Sequence, residues 1–170
     1  PKDKLTRPLK DSTKESIFNI IKHSKSIDIN LENSNVLDLF SGVGSFGLEC
    51  LSRGALNVIF LEKYKEVLNI LKKNIDNLKK QDSSRVIEQD IFAENTLKLL
   101  NNKFDIIFMD PPYKEKKIPD LVNTILKLKL LQDNGLMIIH RHKKEEDILP
   151  SGFNIIIKKN YGISKIVFGN

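Results

Sequence analysis

Only one cysteine, Cys50, occurs in the 170 residues. That excludes an intramolecular disulfide and any zinc site built on a cysteine cluster, and it makes a reducing, cytoplasmic setting the expectation. No apolar run comes near the ~18–20 residues that a helical membrane span requires, and nothing has the layout of a secretory signal. Repeats, low-complexity tracts and interior linkers are missing too. With 40% hydrophobic residues, what remains is a single globular domain over residues 1–170, long enough to bury a full core. Its first part, 1–34, reads as a basic segment and a helix leading into that core. The 28 basic and 22 acidic residues leave a net charge of +6, which suits a polyanionic partner without specifying one.

Apolar strands alternate with amphipathic helices. Strands are expected over residues 35–40, 57–62, 85–89, 104–109 and 136–140, and helices over 11–24, 46–53, 64–80, 91–101 and 116–130. Helical connectors between successive strands imply right-handed crossovers and a mostly parallel sheet covered on both faces. Residues 153–158 and 164–168 flank the turn at Tyr161-Gly162 without a helix between them, which predicts a closing antiparallel hairpin. The fold class is α/β: a Rossmann-like, seven-stranded sheet with helices on both faces.

Sheets of this kind bind ligands beyond the carboxyl ends of their strands. The first strand delivers Asp38 and the loop SGVGSFG, the second Glu62, the third Asp90, and the fourth Asp110-Pro111-Pro112-Tyr113. Gly42, Gly44 and Gly47 match G-x-G-x-x-G formally, a pattern shared by dinucleotide sites and by plain tight turns. Asp38 separates the readings. An acid before the loop repels a pyrophosphate, which wants bare backbone N–H groups, and it suits a cofactor carrying positive charge. S-adenosylmethionine has a sulfonium and an ammonium. Glu62 is then placed to accept from its ribose hydroxyls and Asp90 from its adenine amine, with Ile91 or Phe92 against the ring. Two plainer roles stand beside these: Glu62 as the cap of the helix that follows, and Asp90 as the cap of the next. The cofactor set is expected to be Asp38, Phe40, Ser41, Gly42, Gly44, Glu62, Lys63, Asp90, Ile91 and Asp110.

The fourth strand, FDIIFM, ends in DPPY. An exocyclic amine on a base is a poor nucleophile because its lone pair is delocalised into the ring. The Asp110 carboxylate and the Pro111 carbonyl can each accept one of its N–H bonds, favouring a pyramidal nitrogen and absorbing the charge that develops on it. Pro111 and Pro112 fix backbone φ and hold those acceptors still. Tyr113 offers a flat face for the base, with stacking worth ~1–3 kcal/mol. These four residues are the candidate catalytic group, and no metal is expected.

VLDLFSGVGSFGLECLSRGA, FMDPPY and the upstream RPLKDSTKESIFNII together resemble the bacterial 16S ribosomal RNA guanine-N2 methyltransferases, from Thr6 to the end of the chain. The resemblance implies an S-adenosylmethionine-dependent methyltransferase fold and methyl transfer to the N2 amine of one guanine in 16S rRNA, within a small ribosomal subunit particle, by a monomer. An adenine-N6 or other amino-methyltransferase acting on DNA or RNA is the alternative, because DPPY does not identify the ring. Three departures stand out. The family's basic hairpin ahead of Arg7-Pro8 is not in this chain. Leu9 replaces a threonine, and Lys14 an arginine, which removes a planar bidentate phosphate contact. The fifth strand ends in His140-Arg141-His142 where the family has an acid, and this is read as a basic edge facing RNA. The expected RNA contacts are Arg7, Lys10, Lys14, Lys114, Lys116 and Arg141.

Overall fold

The computed structural model describes residues 9–93 and 95–170. Along the chain run α1 (Asp11–His23), β1 (Asn35–Leu39), α2 (Ser45–Ser52), β2 (Asn57–Leu61), α3 (Lys65–Asn77), β3 (Ser84–Ile87), β4 (Phe104–Met109), α4 (Ile118–Lys127), β5 (Leu131–His142), β6 (Ile155–Tyr161) and β7 (Ser164–Gly169). The strands form one sheet in the order β3-β2-β1-β4-β5-β7-β6. Strands β1 to β5 pair in parallel, and β7 is antiparallel to both β5 and β6. The seven-stranded sheet and its closing hairpin match the sequence reading.

The chain steps outward from β1 to β3 and restarts at β4 on the other side of β1. Strand order therefore reverses between β1 and β4, where such sheets open a crevice for ligands. The register sets Asp38 beside Phe108 and Leu39 beside Met109, so the loops leaving β1 and β4 emerge side by side.

Two apolar layers hold the sheet. Helices α1, α2 and α3 pack on one face through Ile17, Phe18, Phe46, Leu51, Leu68 and Leu71. Helix α4 and the 3-10 turn Leu97–Leu99 cover the other with Ile118, Leu121, Val122, Ile125 and Leu97. The Phe46 ring stacks on Phe108 at 4.0 Å and on Phe18 at 5.2 Å, fixing α2 over β4. A Cβ on Gly47 would lie 2.4 Å from the Phe60 ring, so α2 sits on β2 at a distance only glycine allows.

Two expected elements differ. The helix predicted over 91–101 is reduced to the 3-10 turn Leu97–Leu99. Asp90 accepts from the Phe92 amide, Thr96 bonds back to the Asp90 carbonyl, and Asn95 has φ +75°. Side-chain bonds to local backbone compete with a helix here, and a left-handed residue ends it. The strand expected over 136–140 is longer: β5 begins at Leu131 and runs to His142. The ladder jumps from Phe104 opposite Leu131 to Ile106 opposite Leu136, so the extra residues are absorbed as an irregularity in the strand.

Candidate active site

Asp38 lies on β1 and is 1% exposed. Its Oδ2 accepts the Gly47 amide at 2.9 Å. Burial is the main force pushing its pKa up to about 8; the Gly47 N–H opposes it, and the neighbouring Asp110 and Glu62 carboxylates add to it. A cation placed beside these three carboxylates would relieve both the burial and the repulsion.

The chain leaves β1 through Phe40, at φ +59°. A non-glycine residue in this region costs ~1–3 kcal/mol and persists only where its surroundings enforce it. Ser41 donates its amide to the Leu61 carbonyl at 3.1 Å. Gly42 follows at φ +54° with nothing within 4 Å of where a Cβ would point, and Gly44 starts α2 at φ +85°. Gly42 thus has open space on its Cβ side, whereas at Gly44 a Cβ would lie 2.4 Å from Leu71, so the start of α2 packs at a distance that only glycine allows.

Glu62, 6% exposed at the end of β2, ties this loop to the next. Its Oε2 accepts the Gly42 amide at 2.8 Å, and its Oε1 accepts the amides of Lys63 at 2.8 Å and Tyr64 at 2.9 Å. The plainer reading of Glu62, a cap for the following helix, is therefore present in the structure. A carboxylate offers about four lone-pair positions, so one hydroxyl can still be accepted without breaking a bond. Asp90 is similarly shared: Oδ1 takes the Phe92 amide at 3.0 Å and Oδ2 the Lys63 ammonium at 2.8 Å. Burial works against its charge, yet Lys63 and the Phe92 N–H outweigh burial and hold its pKa below the usual range. Ile91 is buried. The Phe40 and Phe92 rings meet at 5.9 Å, with the Lys117 ammonium 5.4 Å from the Phe92 centroid.

Asp110 enters from β4, its amide directed at the Leu39 carbonyl at 3.5 Å. Its Oδ1 lies 2.7 Å from Nδ1 of His140. Pro111 is buried, and Pro112 and Tyr113 are half-buried. The Pro112 carbonyl accepts the Glu115 amide at 2.9 Å, and the Tyr113 ring stands edge-on to His142 at 5.4 Å.

The end of β5 is a correction. Arg141, expected to face RNA, is 1% exposed. Its guanidinium makes a two-pronged pair with Asp147 at 2.8 and 3.0 Å and donates to the carbonyls of Glu115 at 2.7 Å and Pro112 at 3.4 Å. It ties the loop after β5 to the loop after β4. The sequence showed a basic triplet but not that β5 lies beside β4 and ends level with DPPY. The Met109–Ile139 register sets Asp110 beside His140, and alternation then turns His140 and Arg141 to different neighbours. Asp147 went unnoticed for the same reason.

The other basic residues differ in setting. Lys10 is exposed, and its carbonyl accepts the amides of Thr13 and Lys14. The Lys14 ammonium lies 3.4 Å from Ser45 Oγ, 3.4 Å from Asp11 and 3.8 Å from Glu49, bracing α1 against the start of α2. Lys114 is exposed beside DPPY, while Lys116 is paired with Glu145 at 2.6 Å. Arg7 lies outside the described residues.

Comparison with known proteins gives a consistent picture. A Haemophilus influenzae protein named ribosomal RNA small subunit methyltransferase D is 34% identical over 160 residues, 92% of this chain and 79% of its own. YlbH of Bacillus subtilis is 32% identical over 166 residues, 95% of this chain and 85% of its own. A solved Streptococcus pyogenes structure, described as a conserved hypothetical protein, matches with a TM-score of 0.78 at 28% identity, covering 92% of this chain and 94% of that one. From first residue to last the kinship is continuous, and the chain belongs to the family described as conserved hypothetical protein 95, whose model matches residues 1–170.

Proposed function

We propose that this protein is an S-adenosylmethionine-dependent rRNA methyltransferase that methylates the exocyclic N2 amine of a guanine in 16S rRNA, presented within a small-subunit particle. One observation carries the reading. On neighbouring strands, a buried acid suited to a cation (Asp38) stands beside an acid held in a proline-fixed loop (Asp110). The relatives named for the small-subunit RNA support the substrate class, and the family resemblance supplies guanine N2.

The residues present fit the cofactor. Asp38 and its carboxylate neighbours favour its cationic end, and the loop of Phe40, Ser41, Gly42 and Gly44 would lie along it. Glu62 takes one ribose hydroxyl. Asp90 serves the adenine amine while Lys63 steadies it, and Ile91, with the Phe40–Phe92 pair, walls the ring. When bound, S-adenosylmethionine supplies an electrophilic methyl group on a cationic sulfur.

The remaining chemistry belongs to the chain. Asp110 and the Pro111 carbonyl accept the two N–H bonds of the amine, so the lone pair is freed from the ring and pointed into the crevice. The nitrogen lone pair would form the new N–C bond to the donated methyl group, and the donor would leave as a neutral thioether. The nitrogen becomes cationic and gives one proton to Asp110, and from there to solvent. Positioning supplies most of the acceleration. Tyr113 stacks on a base that is flipped out of, or already outside, its helix. Lys10, Lys14, Lys114 and Lys116 contribute to the RNA-facing surface, so binding weakens as salt rises.

Radiolabelled methyl transfer to undermodified small subunits, naked RNA and DNA, with mass mapping of the product base, tests the assignment. Labelled N2-methylguanine from the particle is expected; N6-methyladenine, or label only in DNA, refutes it. Thermal stabilisation by S-adenosylhomocysteine but not by NAD is expected as well.

Asp38 adds a pH dependence. In the empty protein its folded pKa lies above the unfolded value, so its contribution to stability is full below about pH 4 and is lost as pH rises through about 8. A cationic ligand requires the ionised form, so below about 8 binding must first release this proton. Affinity for S-adenosylmethionine should therefore rise up to ~10-fold per pH unit between about pH 6 and 8 and level off above. Asp38→Asn keeps an acceptor for Gly47 and should flatten the profile. Calorimetric titration across this range checks both; an unchanged slope in the variant would assign the proton elsewhere.

A further inference from the structure

His140 is 6% exposed, and among the described residues its Nε2 is buried without a hydrogen-bond partner. Among the described residues its side chain's one hydrogen-bond contact is Nδ1 to Oδ1 of Asp110, at 2.7 Å. Facing a carboxylate, Nδ1 is placed to donate, and Nε2 is left without a partner. A buried polar atom left unpaired costs stability, and one that persists calls for an explanation. On packing grounds an aliphatic residue would serve this strand better, since β5 is otherwise buried from Gly135 to Arg141. What an aliphatic residue lacks is the N–H aimed at Asp110.

We propose that His140 is a positioning residue for methyl transfer: its Nδ1–H pins one oxygen of Asp110, so that the other is held for the amine of the incoming base. Among the described residues no hydrogen bond engages Oδ2 of Asp110, whose side chain is 22% exposed. One oxygen is thus anchored and the other is available. The anchor also matters electrostatically. Asp110 shares its surroundings with Asp38 and Glu62, and an untethered carboxylate would swing away from these like charges toward water. His140 itself sits on a rigid element, with Ile166 of β7 on one side of the sheet ladder and the end of β4 on the other. An acceptor so fixed needs no reorganisation when charge develops on the nitrogen.

This rests on the reading of Asp110 as the amine's acceptor, and three variants separate the two claims. His140→Leu removes the donor and the unpaired ring nitrogen together. It should melt no lower than the parent protein, bind S-adenosylhomocysteine unchanged, and lose about 10–100-fold in kcat with little change in the KM for S-adenosylmethionine. His140→Asn keeps an N–H near the Nδ1 position and should recover most of that loss. Asp110→Ala controls for the underlying reading: retained turnover there removes the acceptor itself. Should Asp110→Ala be inactive while His140→Leu turns over as the parent does, the positioning role is refuted and the function stands. Equal impairment of His140→Asn and His140→Leu would also overturn it, since packing alone would then account for the loss.

Discussion

Asp110→Ala is expected to stop methyl transfer while leaving cofactor binding nearly intact. On the proposed mechanism the carboxylate's main work comes once an amine is present: it would take an N–H bond, hold the nitrogen pyramidal, and receive the proton that the methylated nitrogen sheds. Loss of one preorganised partner for developing charge costs ~10²–10³-fold in kcat, and removal of the proton's destination adds to that. On the same reading the cofactor's cationic end would rest mainly on Asp38, whose hydrogen bond from Gly47 does not involve Asp110. Loss of Asp110 also removes one of the carboxylates that push Asp38 upward, so the cofactor should bind near neutral pH at least as well as before. Single-turnover assays beside calorimetric titration with S-adenosylhomocysteine make the comparison. Undiminished turnover would strip Asp110 of its role, and a parallel loss of binding would move it to the cofactor half of the site.

The second large effect concerns stability. Arg141→Leu should destabilise the fold by about 3–5 kcal/mol, the usual cost of removing one member of a buried ion pair. The variant leaves Asp147, whose side chain is 11% exposed, without its partner and removes the guanidinium's bond to the Glu115 carbonyl. At roughly 2–4 °C per kcal/mol for a chain of this size, the melting temperature should fall by about 6–20 °C. Arg141→Leu combined with Asp147→Leu should recover much of the loss, because an apolar pair of similar volume does not strand a charge. Differential scanning calorimetry of the single and double variants decides it. Were Arg141 an RNA contact, the single variant would melt like the parent and lose only RNA affinity.

The sheet was legible because its signals are local. FDIIFM and NVLDL are runs that only a strand buried on both faces explains, and the glycines of SGVGSFG mark a strand–helix turn. The order of acids followed from strand order and from the rule that ligands sit at carboxyl ends. What could not be read were consequences of two distant segments meeting. The helix expected over 91–101 has suitable spacing, but Asp90 and Thr96 spend their polar groups on the local backbone, and Asn95 takes a left-handed φ of +75°. His140-Arg141-His142 reads as charge in one dimension. Only pairing of β4 with β5 reveals that its first residue contacts Asp110 and that its second is sealed behind the loops.

The adjacency of β1 and β4 also fixes a length. Parallel neighbours lie ~4.8 Å apart and advance ~3.3 Å per residue. Asp38 faces Phe108 across the ladder, and Asp110 lies two residues further on, so the two acids' backbones are separated by one strand spacing and two residue rises. This ruler is made of main-chain hydrogen bonds, which no side-chain substitution can stretch. Drift in sequence can retune which base is admitted and which contacts greet the RNA, while the gap between the donor's half and the acceptor's half stays constant. Families built on this frame can therefore change targets without having to reinvent the reach of the methyl group.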